Sequence, residues 1–310
     1  MPLSRGLEAG SENSGYNASP VAGVANLRGQ EGRKGSLTEQ RPLLSQPLMG
    51  LRGLLHVFFA GIFLAILSGQ ADAQGNFEIQ VYGSETVAPG TTMIELHSNS
   101  AIQGTTRVEG GVLPTQHAVH ETIEITRGWT SWFETGFYIF TSVQTLGPEQ
   151  GYWWVGDHIR PRVRAPEEWH LPVGLSLSVE VGYQQPEFSP DTWTLEIRPI
   201  VDKQLGPWYF SINPALEQSL KGPGTKTGIE FTPAAKVSYD LTKIVSPGIE
   251  YYGALGPVGN FLPASRQQQQ LYGVVDLNVD PRWEINFGVG GGLTRATDGL
   301  IIKMILGRRF

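Results

Sequence analysis

The chain has 310 residues, of which 17% are charged and 40% hydrophobic, and its formal net charge is −6 at pH 7. This acidic balance argues against a protein that binds nucleic acid by electrostatic attraction, because such proteins present a basic surface. The sequence contains no cysteine, which excludes disulfides, thiol catalysis, thiolate metal sites and a lipid anchor on an N-terminal cysteine.

The first organised stretch is an apolar run over residues 54–67. It is shorter than the roughly 20 residues that a membrane-spanning helix needs. Arg52 precedes the run, and the small residues Ala71 and Ala73 follow it in an A-x-A pattern. A positive charge, an apolar core and a small-residue site in this order are typical of a secretory signal peptide. We therefore predict a signal peptide over 49–73, cleaved after Ala73.

Residues 1–48 lie before this leader and are rich in Gly, Ser, Arg and Glu, with no hydrophobic period. This composition predicts a disordered extension. Because signal peptides normally begin at the start of a chain, Met49 is a candidate translation start, and residues 1–48 would then not be translated. The alternative is a longer leader that is also removed.

Residues 74–90 form a short segment ahead of the remaining pattern. Phe77 to Tyr82 alternate between apolar and polar residues, and Pro89 and Gly90 then interrupt the alternation. We predict a separate N-terminal segment ahead of the strands that follow.

From residue 91 onward, period-two alternation recurs between short polar or Gly- and Pro-containing connections, which predicts strands. Twelve candidates follow in order: 91–98, 117–126, 132–142, 154–165, 171–183, 192–202, 207–219, 229–240, 244–255, 269–279, 282–294 and 298–310. Most are 10 to 13 residues long, close to the length of about 9–11 residues of a tilted strand that crosses a bilayer.

The last strand candidate, 298–310, carries the clearest resemblance. Its sequence is DGLIIKMILGRRF, and the chain stops on an aromatic residue, Phe310, that follows an alternating strand. This ending resembles the C-terminal strand of bacterial outer-membrane β-barrel proteins, and the resemblance extends over about residues 74–310.

The resemblance implies an all-β fold, a transmembrane antiparallel up-and-down β-barrel of about twelve strands over residues 91–310. It also implies that residues 74–90 lie in the periplasm, tucked against the barrel. The protein would be located in the bacterial outer membrane, in contact with its lipid. Phe310 would serve as the signal through which the C-terminal strand engages the barrel-assembly machinery.

The predicted connections alternate in length, as they do in outer-membrane barrels, which have short periplasmic turns and longer external loops. Connections after odd-numbered strands are long, with the exception of 295–297, and those after even-numbered strands are short. An even strand number with both ends on the periplasmic side follows.

The stretch from Asp157 to Arg164 is the sharpest local motif. Successive residues of a strand point to opposite faces, so the basic residues share one face, which the barrel fold would turn into the lumen. Acidic and basic residues of nearby strands fall on the same inner face. The candidate lumen residues are His158, Arg160, Arg162, Arg164, Glu134, Glu180, Glu196 and Arg198.

Two functions are compatible with this charged lumen. Rings of charged side chains select solutes in pores, which predicts passive or facilitated passage of a small solute. The same residues could instead form a salt-bridge network that fills a closed structural barrel, whose external loops would bind partners. A hydrolase on the barrel exterior is a weaker alternative, and no catalytic residue is identified because no Ser-His-Asp spacing is recognisable.

No cofactor and no metal site are expected. His120 and Glu124 would share one face of their strand, whereas His117 and Glu121 would point to the other face, so the four cannot converge on one ion.

Overall fold

The computed structural model describes residues 76–145 and 150–310. The predicted extension 1–48 and the predicted signal peptide 49–73, with Ala71 and Ala73, lie outside the described residues. Within those residues, no helix is long and apolar enough to cross a membrane.

Twelve β-strands make up most of the described chain. Their bounds are β1 Thr92–Gln103, β2 Val119–Thr130, β3 Phe133–Gln144, β4 Gly151–Arg164, β5 Gly174–Gln184, β6 Trp193–Leu205, β7 Trp208–Lys221, β8 Glu230–Tyr239, β9 Val245–Ala254, β10 Gln268–Leu277, β11 Trp283–Gly292 and β12 Leu300–Arg309. Each overlaps one of the strands predicted from the sequence.

The strands close into one antiparallel barrel. Each pairs with its neighbours in the chain, and β1 pairs with β12 from Met93 opposite Arg309 to Gln103 opposite Leu300. A closed ring has no strand edge, so every strand has a partner strand on both sides. The predicted fold, an all-β antiparallel barrel of twelve strands, is confirmed.

The connections at the two ends of the barrel differ in length. The end that contains Thr92 and Arg309 carries the connections 131–132, 165–173, 206–207, 240–244 and 278–282, and we call it the turn end. The opposite end carries the connections 104–118, 145–150, 185–192, 222–229, 255–267 and 293–299, and we call it the loop end.

Two connections are each four residues longer than predicted. The connection after β4 spans 165–173 and holds a short 3-10 helix, Glu167–Trp169, because Pro166 and Pro172 stop the ladder early. The connection after β11 is longer than the predicted 295–297, since the ladder ends at Gly292 although the alternation continues in the sequence.

The two faces of the strands sort by polarity as predicted. Apolar side chains such as Ile159, Ile212 and Phe287 are exposed on the outside. Charged residues such as Arg160 and Lys303 are among the largest fully buried side chains. This is the inverse of a soluble barrel and is the pattern expected when the outer face contacts lipid.

The N-terminal segment, residues 76–88, runs inside the ring of strands, and we call it the lumen segment. The Asn76 amide donates to Asp298 near the loop end, and the Val87 amide donates to Glu134 near the turn end. The segment is expected from the sequence to lie beside the barrel in the periplasm, but in the structure it lies in the lumen. The segment forms no strand, and its apolar side chains are enclosed by the barrel wall.

Candidate functional site: the charged lumen

The basic ladder of β4 faces the lumen. His158, Arg160 and Arg162 are each no more than 9% exposed, whereas the alternating residues Ile159 and Val163 are exposed on the outer wall. The period of two that defines a strand therefore delivers the predicted ladder to the interior.

Arg160 and Arg162 are held by carboxylates of the neighbouring strands β2 and β3. Arg160 Nη2 lies 2.6 Å from Glu124 Oε1 and 3.7 Å from Glu134 Oε1. Arg162 Nε lies 2.7 Å from Glu134 Oε1. Because these side chains are buried, the ion pairs offset a large desolvation cost, and removal of one partner would leave a charge uncompensated.

The other predicted site residues form smaller pairs around this cluster. His158 Nδ1 lies 2.6 Å from Glu180 Oε1, and Arg198 Nε lies 2.6 Å from Glu196 Oε1. Arg164, at the turn end, lies 3.5 Å from the exposed carboxylate of Glu167. The structure thus brings all the predicted lumen residues into ion pairs.

Tyr82 of the lumen segment lies among the guanidinium groups. The Cζ atoms of Arg160, Arg198 and Arg162 lie 4.5, 4.9 and 5.8 Å from the centroid of its ring. A cation over an aromatic face is attracted by the ring quadrupole. Tyr82 therefore connects the β4 ladder to Arg198 on β6 across the lumen.

Lumen side chains also bind the backbone of the segment. Asn213 accepts from Tyr82 N at 2.8 Å and donates to Tyr82 O at 3.0 Å. Lys303 Nζ donates to Ile79 O at 2.8 Å, and Arg162 donates to the carbonyl oxygens of Gly83 and Glu85. These side chains satisfy backbone groups that no ladder satisfies.

Apolar packing fixes the segment in the half of the lumen nearer the loop end. Phe77 packs with Leu113, Phe140, Val155 and Phe188. Ile79 packs in a second cluster with Tyr272, Val274 and Ile301. These contacts fill the lumen there with side chains.

The Asp298 carboxylate anchors the start of the segment outside the strands. It accepts from Asn76 Nδ2 at 2.5 Å and from Thr115 Oγ1 at 2.7 Å. Burial raises the pKa of Asp298 above its usual value, although both hydrogen bonds act in the opposite direction.

The half of the lumen nearer the turn end is open. A cavity of about 990 Å³ lies there. Its wall includes Glu95, Glu124, Glu134, Arg160 and Arg162. Residues 80–88 of the lumen segment line the same cavity, so the buried charged cluster borders a space that lies between the segment and the strands and extends to the turn end.

Glutamates occupy one row on the wall that continues from β4. Glu180, Glu196, Glu217 and Glu230 are direct cross-strand neighbours on β5 to β8. Like charges directly opposite one another on a sheet are destabilising. His158 and Arg198 offset the first two, so a basic β4 is followed around the ring by an acidic row on β5 to β8.

The sequence analysis missed the role of the lumen segment and its anchors, Asn213 among them. One signal was present, because Phe77, Ile79 and Val81 alternate as if one face were buried. No pattern specified what they pack against.

Comparisons with known proteins place the fold. No protein-family model matches the chain, and no curated protein matches it. Among solved structures, it is similar to the COG4313 outer membrane channel from Pseudomonas putida F1, with 10% identity and a TM-score of 0.51 over 75% of this chain and 100% of that chain.

Two further solved structures have lower TM-scores. The translocator domain of the autotransporter NalP from Neisseria meningitidis matches with 8% identity and a TM-score of 0.34, over 84% of this chain and 97% of that chain. The outer membrane channel DcaP of Acinetobacter baumannii matches with 10% identity and a TM-score of 0.31, over 73% of this chain and 100% of that chain. At these identities, the likeness to the first structure concerns the fold alone.

Proposed function

We propose that this protein is a channel of the bacterial outer membrane that passes a small solute through its charged lumen and that the lumen segment is its gate. The apolar outer wall, the closed ring of strands and the short connections at one end support a membrane location. On this proposal, the turn end faces the periplasm and the loop end faces the exterior.

The observation that carries the proposal is the way in which the lumen segment is held. It lies across the path between the two ends, and side chains rather than a β-ladder bind its backbone at Ile79, Tyr82 and Gly83. Such contacts break one at a time, whereas a ladder strand separates only with the loss of many bonds at once. Withdrawal of the segment would join the open cavity to the loop end.

The lumen charges would select the solute in this channel. Arg160 and Arg162 line the cavity, and fixed charges in a narrow passage set ion preference. The proposed partners are the lipid of the outer membrane, a small solute and, through Phe310, the barrel-assembly machinery. We propose no catalytic role, since the compared structure with a TM-score of 0.51 is a channel.

A closed structural barrel that acts through its external loops is the second candidate. The packing of Phe77 and Ile79 favours it, because these clusters fill the lumen near the loop end. The two candidates differ in whether the lumen segment moves.

A reversible cross-link tests the gate. A Cβ at Gly174 would lie 3.1 Å from Ser84 Cβ, close to the roughly 3.5–4.5 Å between Cβ atoms of a disulfide. The chain has no other cysteine, so the variant Ser84→Cys/Gly174→Cys can form only this bond within one chain. In planar bilayers, we expect discrete conductance steps from the native chain, silence from the oxidised variant and recovery after reduction. Ser84→Cys alone is the matched control and should respond to neither treatment.

The outcomes separate the candidates. A heat-dependent shift in gel mobility first shows that the barrel has folded. A folded native barrel that never conducts would contradict the channel, and steps that ignore the cross-link would contradict the gate. In a conducting barrel, Arg162→Glu should shift ion preference toward cations, whereas Arg282→Glu, in the exposed turn after β10, should leave it unchanged.

A further inference from the structure

Glu95, His97 and Glu124 form a compact cluster in the lumen wall. Glu95 and His97 are two residues apart on β1, so both face inward, and Glu124 of β2 lies directly opposite Glu95. One potential ligand atom from each residue lies within 4.8 Å of the others. Neither strand carries the set alone, which is why the sequence analysis found no metal site around Glu124.

The imidazole of His97 is buried without an ordinary hydrogen bond. Its residue is 0% exposed, and neither ring nitrogen has a hydrogen-bond partner. Nε2 lies 3.5 Å from Glu124 Oε2, which is longer than a normal hydrogen bond. An unsatisfied buried imidazole is costly. A positively charged ligand between His97 Nε2 and Glu124 Oε2 would satisfy both atoms.

Glu95 also has a buried polar atom without a hydrogen-bond partner. It is 5% exposed, and its buried Oε1 atom has no partner. Among residues 76–145 and 150–310, no ion pair within 4.0 Å involves this carboxylate. A buried carboxylate requires a neutralising charge, a metal ion or a proton.

Glu124 is oriented for a ligand on one side. Its Oε1 atom accepts from Thr126 Oγ1 and from Arg160 Nη2, both at 2.6 Å. Its Oε2 atom has no hydrogen-bond partner and lies toward His97. Outer partners that fix one oxygen while the other stays available are typical of metal-binding carboxylates.

The site has an entry path. Glu95 and Glu124 lie in the wall of the cavity at the turn end. The cavity runs beside residues 80–88 of the lumen segment and extends to turn-end residues such as Pro281 and Arg309. An ion that enters from the turn end can therefore reach these carboxylates, and the inference does not depend on conduction.

We propose that Glu95, His97 and Glu124 bind one divalent transition-metal ion. One imidazole and two carboxylates suit Zn²⁺, with Mn²⁺ as a harder competitor, and three protein ligands leave positions for water. Glu95 and Glu124 supply two negative charges for the ion. Glu124 shares its charge with Arg160 at 2.6 Å, while Glu134 pairs with Arg162 at 2.7 Å. The ligands come from β1 and β2, and β1 is also one of the two strands that close the ring. The bound ion therefore cross-links β1 and β2 and stabilises the folded barrel.

Metal titration of the full chain tests the site. The chain is folded in detergent without a polyhistidine tag, stripped with a chelator and titrated with Zn²⁺ by calorimetry, and with Co²⁺ by its visible absorption. We expect one ion per barrel, and His97→Gln or Glu95→Gln should weaken binding by roughly tenfold or more. Zn²⁺ should also raise the temperature of the gel-mobility shift in the native chain and not in the two variants.

His120→Gln is the matched control. His120 is 2% exposed, faces the lumen from β2 and also has two unpartnered ring nitrogens, but it packs on the ring of Phe77 at 4.5 Å instead of joining the cluster. Its substitution should leave Zn²⁺ affinity unchanged.

Two outcomes would overturn the proposal. One is a folded native barrel that takes up no Zn²⁺ or Co²⁺, which would mean that the groups hold protons instead. The other is uptake that survives both His97→Gln and Glu95→Gln, which would assign it to surface groups such as His117 or His170. If one variant does not fold, the other still decides.

Discussion

At the scale of single residues, Glu134 holds the lumen cluster together. It is fully buried, pairs with Arg162 and Arg160, and accepts the backbone N–H of Val87 at 2.6 Å. The Glu134 carboxylate thus joins β3 to β4 and holds the lumen segment at Val87, near the turn end.

Replacement of Glu134 is expected to be costly. Glu134→Gln keeps the shape of the side chain and removes its charge, which leaves Arg162 buried without its ion-pair partner. Breaking a buried pair in this way costs about 3–5 kcal/mol. Urea unfolding in detergent, followed by the gel-mobility shift, should show a free energy of unfolding lower by about that amount.

Glu167→Gln provides the comparison. The Glu167 side chain is 83% exposed, and its carboxylate lies 3.5 Å from Arg164. Exposed ion pairs of this kind contribute roughly 0–1 kcal/mol. Equal losses in the two variants would show that the lumen charges are solvated rather than paired.

Residue periodicity predicted which face each lumen residue occupies, but not its partner. The alternation from Asp157 to Arg164 was sufficient to place Arg160 and Arg162 inside. Which carboxylate each one meets depends on the register between β2, β3 and β4, and register comes from turns and packing that the alternation does not encode. The roles of these residues in selectivity stay a prediction.

At the scale of elements, the strands and the lumen segment differ in what stabilises them. Ladders hold each strand on both sides, whereas the segment depends on side-chain anchors such as Asn213. Strands were predictable because a half-buried pleat imposes a period of two. The position of the lumen segment was not predictable, because an irregular backbone inside a barrel is positioned by contacts with residues far away in sequence.

Asn213→Ala should loosen the lumen segment. The substitution removes both hydrogen bonds to the backbone of Tyr82 and leaves its N–H buried, at a cost of roughly 1–3 kcal/mol. We expect faster amide exchange over residues 76–88, measured by mass spectrometry, and unchanged exchange in β1 to β12.

Asn286→Ala is the control for this experiment. Asn286 is also buried and inward-facing, but it donates to Asp276 within the barrel wall. If both variants exchange alike over residues 76–88, the segment is not held by Asn213.

At the scale of the whole molecule, ring closure depends on the last residues of the chain. Thr92 and Phe310 exchange backbone hydrogen bonds at 3.2 and 2.8 Å. The phenyl ring of Phe310 is 66% exposed, so little of its area contributes to packing in the finished barrel. This position fits a role in assembly more than one in stability.

Phe310→Ser should therefore reduce the yield of assembled barrel in cells while leaving the stability of the assembled fraction nearly unchanged. The backbone hydrogen bonds with Thr92 persist in the variant. The measurement is the heat-modifiable fraction in membranes, followed by urea unfolding of that fraction. Phe261→Ser, which removes a similarly exposed ring in the loop after β9, should not lower the yield.

The location of residues 76–88 also constrains the order in which the chain folds. These residues precede β1, and β1 meets β12, the last strand to be synthesised. A segment enclosed by a ring must either be in place before its seam is sealed or be threaded through one mouth afterwards. Docking before closure would make the seam between β1 and β12 the final step of folding, with the docked segment as the surface on which the wall assembles.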